Sequence, residues 1–176
     1  MIAVKIASIL AGRDRRSIGR ANEVAHLVLR EARRFDELIK CLWDENPVIR
    51  MRAADAAEKV SAKKPRLLDR YKPELLGLLA EAEQIELRWH LAAMVPRLRL
   101  NSPERQRAVK ALHHYLNDRS SIVKTFALQA LSDLAQNDPN LRPKVKLLLE
   151  AAVQSGTPAM KARARKLLAS GPENER

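Results

Sequence analysis

The chain has 176 residues, 46% of them apolar but only 3% aromatic, so it can bury a core, and that core must be built from Leu, Ala, Val and Ile, as in packed helices. Five glycines, with no run of alternating β-branched residues between turn signals, leave little material for a sheet, and a single cysteine excludes an internal disulfide. The net charge of +12 divides evenly between residues 1–100 and 101–176, so the basic excess is spread along the chain and favours an acidic partner, either nucleic acid or an acidic protein surface.

At the start, MIAVKIASILAG is interrupted by Lys5 and places Ile2, Ile6, Ile9 and Leu10 at helical spacing, which predicts a capping helix rather than a signal peptide. A helix is expected from about Ser17 to Arg30, with Ser17 as its cap. Its inward face would be Ile18, Asn22, Ala25, His26 and Leu29, and the two polar residues there mark a degenerate terminal unit. Phe35 to Trp43 supplies the partner helix through Phe35, Leu38, Ile39 and Leu42. Asn46-Pro47 then joins an N-cap residue to a proline at the first helical position. The helix that follows carries Ile49, Ala53, Ala56, Ala57 and Val60 on one stripe. SAKKP ends it, Arg66 to Arg70 forms a separate turn, and a partner helix runs from Lys72-Pro73 to about Ala80.

The third stripe is Leu87, Leu91, Met94, Val95 and Leu98, with Pro96 expected to kink or end the helix. Ser102-Pro103 opens its partner, which packs Val109, Leu112 and Leu116. The stretch Asp118 to Leu134 carries the fourth stripe, Val123, Ala127, Ala130, Leu131 and Leu134, and LRPKVKLLLEAAVQS is its partner, stopped at Ser155-Gly156. A last helix spans Pro158 to Ala169, and residues 171–176, GPENER, form a polar tail. No stretch approaches the roughly 18 apolar residues of a membrane span. Cys41 within LIKCLW reads as a small buried hydrophobe, which fits a reducing, cytoplasmic setting.

The anchors Ile49, Leu87, Val123 and Met160 recur 36 to 38 residues apart, and a cation follows each: Arg50, Arg88, Lys124 and Lys161. Such a period belongs to stacked helix pairs. Asp44…Pro47…Ile49-Arg50…Ala53 and Asp118…Val123-Lys124…Ala127 resemble the first helix of HEAT repeats, and the resemblance covers most of the chain. The tetratricopeptide and ankyrin signatures are absent, although the units are shorter than the roughly 40–47 residues of HEAT and armadillo repeats. The resemblance implies an all-α fold: a right-handed α-solenoid of antiparallel helix pairs, with four to five HEAT-like repeats in a single domain spanning residues 1–170.

The resemblance also implies roles for charged side chains. The acid and cation of each first helix would tie neighbouring repeats together, which singles out Asp44, Arg50, Arg88, Asp118, Lys124 and Lys161. Asp44/Arg50 and Asp118/Lys124 both keep a spacing of six. Second helices would line a concave face, where Arg70, Arg105, Lys110, His113, His114, Lys144 and Lys146 are the candidate binding residues. Ordinary solvated surface is the alternative for these cations, since Glu37, Glu74, Glu104 and Glu150 are interleaved among them.

His113 and His114 point about 100° apart on a helix and do not share a metal. Trp43 and Trp89 fit core or shoulder packing. With no phosphate loop, dinucleotide fingerprint, zinc spacing or nucleophile elbow, no catalytic residue, metal or cofactor is expected. The expected function is a monomeric, non-catalytic adaptor or scaffold that binds a macromolecular partner, a protein with an acidic surface, through a concave basic face. Nucleic-acid binding is the alternative. HEAT-like alkylpurine DNA glycosylases share the fold, but the resemblance implies an aromatic cleft beside a carboxylate, which two Trp and two Tyr spread over this chain do not assemble.

Overall fold

Three helix starts are set by a side-chain cap followed by proline. The Asn46 side chain accepts from the Val48 N–H at 2.9 Å, and Thr157 accepts from the Met160 N–H at 3.3 Å. Asn101 and Glu104 form a reciprocal capping box at 2.9 and 2.8 Å. Each device satisfies an N–H that the helix leaves open, and the proline at the first or second helical position has no N–H to satisfy.

The computed structural model describes residues 4–14 and 16–170, so the expectations for Ile2 and for the tail at 171–176 lie outside the described residues. The described residues form ten α-helices and no strand. They are α1 (Ile6–Leu10), α2 (Ala21–Arg30), α3 (Phe35–Lys40), α4 (Pro47–Lys63), α5 (Lys72–Glu81), α6 (Ile85–Met94), α7 (Ser102–Tyr115), α8 (Ser121–Gln136), α9 (Arg142–Ser155) and α10 (Pro158–Ala169). Short 3₁₀ turns at Ala32–Arg34, Cys41–Trp43, Pro65–Tyr71 and Val95–Arg97 link some of them. The turn at Val95–Arg97 is where Pro96 ends α6, and the turn at Pro65–Tyr71 separates α4 from α5, as the prolines predict.

The long helices pack in one row, α2 on α4, α4 on α6, α6 on α8 and α8 on α10. Beside this row α3 packs on α4, α5 on α6, α7 on α8 and α9 on α8 and α10. Within the second row α5 touches α7. Buried apolar side chains from Ile6 to Ala164 form one continuous cluster. Helix α4 is enclosed on nearly every face, because Ala53, Ala54, Ala56 and Ala57 are all buried and allow neighbours to approach closely. Cys41 is buried beside it, and burial, with Asp44 and Glu37 adding, pushes its thiol up to about 11.

Helix α2 departs from its predicted face. Its buried residues are Ala21, Val24, Ala25 and Val28, while Asn22 and His26 are exposed and Ile18 lies outside the helix. The inward face is one residue out of the expected register and is fully apolar, so this unit is not degenerate. Ser17 is not the cap either: its hydroxyl accepts from the Gly19 N–H at 3.0 Å. Gly19, at φ +51°, reverses the chain and lets the helix begin at Ala21. On α7 the inward residues are Ala108, Leu112 and Tyr115, with Val109 and Leu116 only partly buried. The Tyr115 hydroxyl donates to the Leu79 carbonyl at 2.7 Å and so joins α7 to α5.

Arg52, unremarkable in the sequence, is 5% exposed. Its guanidinium donates to the carbonyls of Leu10 and Ala11 at 2.9 Å, Asp14 at 3.0 Å and Ser17 at 3.1 Å. A Cβ on Gly12 would stand 2.5 Å from Arg52 Nη1, and one on Gly19 would stand 2.6 Å from Cζ, so both glycines make room for the guanidinium. The carbonyls of the N-terminal segment thus converge on one buried cation.

Two outcomes follow from this packing. Leu131 is fully buried on α8, so Leu131→Ala should cost about 2–5 kcal/mol in urea melts. Arg52→Met removes donors to four carbonyls, so hydrogen exchange should rise across residues 8–20 while α8 to α10 stay protected.

Candidate functional site

Two of the four cations that follow the anchors, Arg50 and Arg88, reach forward toward the next long helix. Arg50 Nε donates to Gln84 Oε1 at 2.9 Å, and Gln84 Nε2 donates back to the Pro47 carbonyl at 2.9 Å. Arg88 Nη1 meets Asp118 Oδ2 at 2.5 Å, and its Nε donates to the Ala82 carbonyl at 2.6 Å. Between α8 and α10 the same junction is a hydroxyl pair, Ser121 and Thr157, at 2.7 Å. The expected pairs at a spacing of six do not form as ion pairs. Arg50 takes the Asp44 carbonyl at 2.8 Å, while the Asp44 carboxylate accepts from the Asn46 N–H at 2.9 Å. Asp118 accepts from the Ser120 N–H at 2.7 Å and pairs with Arg88, not with Lys124. The reason is local: an acid just ahead of a helix is taken up by a nearby backbone N–H, and a long guanidinium spans to the neighbouring helix. Lys124 and Lys161 are half-buried and make no side-chain ion pair among the described residues.

The Asp118 side chain is only 1% exposed. Burial pushes its carboxyl up, but the Ser120 N–H and the Arg88 guanidinium outweigh burial and hold it below the usual carboxylate range.

The second-row cations divide. Helix α7 and the start of α9 enclose an open groove of about 360 Å³. Its α7 wall is Ser102, Arg105, Gln106, Val109, Lys110 and His113, the i, i+3, i+4, i+7, i+8, i+11 stripe of one helical face. Its other wall is Asp138, Asn140, Leu141 and Lys144. By helix rise, Lys110 lies about 7.5 Å along the axis from Arg105, and His113 about 4.5 Å further. Arg105, Lys110, His113 and Lys144 therefore share one groove, with Val109 and Leu141 as its apolar lining. His114 is exposed on α7 outside this stripe, Lys146 is exposed on α9 outside the lining, and Arg70 sits over the Tyr71 ring, 5.1 Å from its centroid.

Asp138 is the one carboxylate lining the groove, and it is already engaged: it accepts from the Asn140 N–H at 3.0 Å and from Arg105 at 3.3 Å. Glu104 turns the other way, toward α5, where Lys72 lies 2.8 Å from it. The hydrogen bond from Lys72, with the Asn101 N–H, holds the Glu104 carboxyl below its ordinary range. None of the acids interleaved along the sequence, Glu37, Glu74, Glu104 and Glu150, lines the groove. Ser102, Gln106, Val109, Asp138, Asn140 and Leu141 were missed as groove residues; the Asp138-Pro139 turn ahead of α9 is a sequence signal for the second wall, and helical spacing from Arg105 is one for the first.

Trp89 packs against His90 at 3.4 Å and against Phe126 at 5.1 Å between centroids, and Trp43, 46% exposed, lies in a separate turn. Neither lines the groove. Among the described residues no group of three His, Cys, Asp or Glu side chains is placed to hold a metal, and no helix is long and apolar enough to cross a membrane. No protein-family model and no curated protein sequence matches the chain.

Asp118 gives a pH-dependent outcome. A carboxyl whose pKa is depressed on folding adds stability that is fully present above its unfolded pKa near 4 and is lost as the pH falls through the folded value. Asp118→Asn should therefore cost about 2 kcal/mol in urea melts near neutral pH, with the cost shrinking as the pH falls below about 4.

Proposed function

We propose that the chain is a non-catalytic adaptor, built as a right-handed α-solenoid of HEAT-like repeats, that takes an anionic macromolecular partner in the groove between α7 and α9. The repeat period of 36 to 38 residues and the row of long helices, each packed on the next, support the solenoid. The forward-reaching contacts Arg50–Gln84, Arg88–Asp118 and Ser121–Thr157 agree with repeats tied edge to edge. In this reading the second row, α3, α5, α7 and α9, lines the concave side.

The observation that carries the binding role is the groove itself, where four cationic or titratable bases face one engaged carboxylate. A catalytic reading would need a nucleophile and a base within hydrogen-bond reach of each other, and Ser102 and His113 stand about 16 Å apart along α7 by helix rise. The glycosylase variant of the fold would need aromatic side chains beside a carboxylate, and Trp43 and Trp89 stand apart from the groove and from each other.

The test is charge reversal. Lys110→Glu with Lys144→Glu places acids in the groove on two exposed side chains. Bound macromolecules captured from the native cell extract should fall by at least about tenfold relative to wild type, the equivalent of one charge-assisted contact. Equal capture by both proteins would place the partner surface elsewhere.

A further inference from the structure

We propose that the groove between α7 and α9 takes the sugar–phosphate backbone of duplex nucleic acid without regard to base sequence; this rests on the groove being the partner site.

The first argument is the segregation of charge. Helix α7 has one acid, Glu104, and it faces α5 and Lys72. Helix α9 has one acid, Glu150, which does not line the groove. Asp138 is occupied by Arg105 and the Asn140 N–H. Lys110 and Lys144 are exposed and make no ion pair among the described residues. Their charges are therefore available to an incoming anion.

Three further features choose the kind of anion. Ser102, Gln106 and Asn140 line the groove with the cations, and hydroxyl and amide donors of this kind complement phosphate oxygens. The groove holds no Phe, Tyr or Trp and a single imidazole, His113, so it lacks the successive aromatic platforms on which the bases of a single strand would stack. Val109 and Leu141 are its only large apolar residues, too few to seat the apolar face of an acidic amphipathic helix. The extent of the charge then favours a long polyanion over a short peptide. The net charge of +12 is carried equally by residues 1–100 and 101–176 and far exceeds what the groove holds, so a long polyanion gains general attraction that a short acidic peptide gains less of.

The test is fluorescence anisotropy on the full chain with four probes. These are two duplex DNAs of unrelated sequence and one duplex RNA, each of about 20 base pairs, and a poly-glutamate peptide of about 20 residues. The groove variant is Lys110→Gln with Lys144→Gln, and the control is Arg165→Gln with Lys166→Gln, exposed cations on α10 that lose the same charge. Wild type should bind both DNA sequences equally, and whichever of the DNA and RNA duplexes binds more tightly identifies the natural form. The groove variant should weaken duplex binding by about tenfold near 100 mM salt and flatten the log–log salt slope by about 0.9 for each lost contact, with the control within about threefold of wild type.

Equal weakening in both variants would mean diffuse attraction and would overturn the proposal. Groove-dependent binding of poly-glutamate with no duplex binding would overturn it while leaving the adaptor reading intact. Binding of every probe without dependence on the groove would overturn both.

Discussion

The close approach of helices around α4 is the contact on which the rest of the chain depends. Four buried alanines, Ala53, Ala54, Ala56 and Ala57, leave little side chain between α4 and its neighbours, so α2, α3 and α6 pack on it at once. From α6 the row continues through α8 to α10, each helix burying its stripe against the last. Because α1 also packs on α4, and Arg52 on α4 collects the carbonyls of residues 10 to 17, the N-terminal segment is anchored to the same helix. A buried guanidinium with neutral acceptors only is costly to bring out of water, and four well-placed carbonyls offset that cost.

Polar side chains complete the row. At the helix starts, Arg50, Arg88 and Ser121 each reach the next helix. Elsewhere along the helices, Lys59 donates to Asn22 at 2.6 Å, Arg97 donates to the Glu58 carbonyl at 2.8 Å, and Arg163 donates to Gln129 at 2.8 Å. Apolar stripes permit helices to slide along one another by a turn, whereas directional contacts hold one register. These contacts consume cations in the first row. In the second row, Arg105, Lys110 and Lys144 share the groove where α7 and the start of α9 face each other.

One buried site stands apart from this scheme. His90 Nδ1 lies 2.6 Å from the Glu86 carbonyl of its own helix, and its Nε2 lies 3.7 Å from Asp55 Oδ1 without a hydrogen-bond partner. Burial pushes the Asp55 carboxyl up, but His90 and Lys59 outweigh burial and keep it below its ordinary range. The group is enclosed between α4 and α6, with His90 only 2% exposed, so it acts on packing and not on a ligand.

By itself the sequence determined the helices and which residues of most of them face inward. Periodic apolar stripes, prolines and capping residues act within a few residues of one another, so they can be read without knowing the fold. That is why the stripes of α4, α6 and α8 were legible in full, and why the stripe of α2 slipped by one residue where Gly19 breaks the local pattern. Only the tertiary structure decided which polar groups meet. Arg88 finds Asp118 thirty residues on, and Arg52 finds carbonyls about forty residues back. The groove is of the same kind: Arg105 and Lys144 sit on different helices, and whether Glu104 or Asp138 stands beside them depends on how α5, α7 and α9 are placed in space. A side chain's partner is set by distance in three dimensions, and spacing along the chain measures that distance only within a single helix.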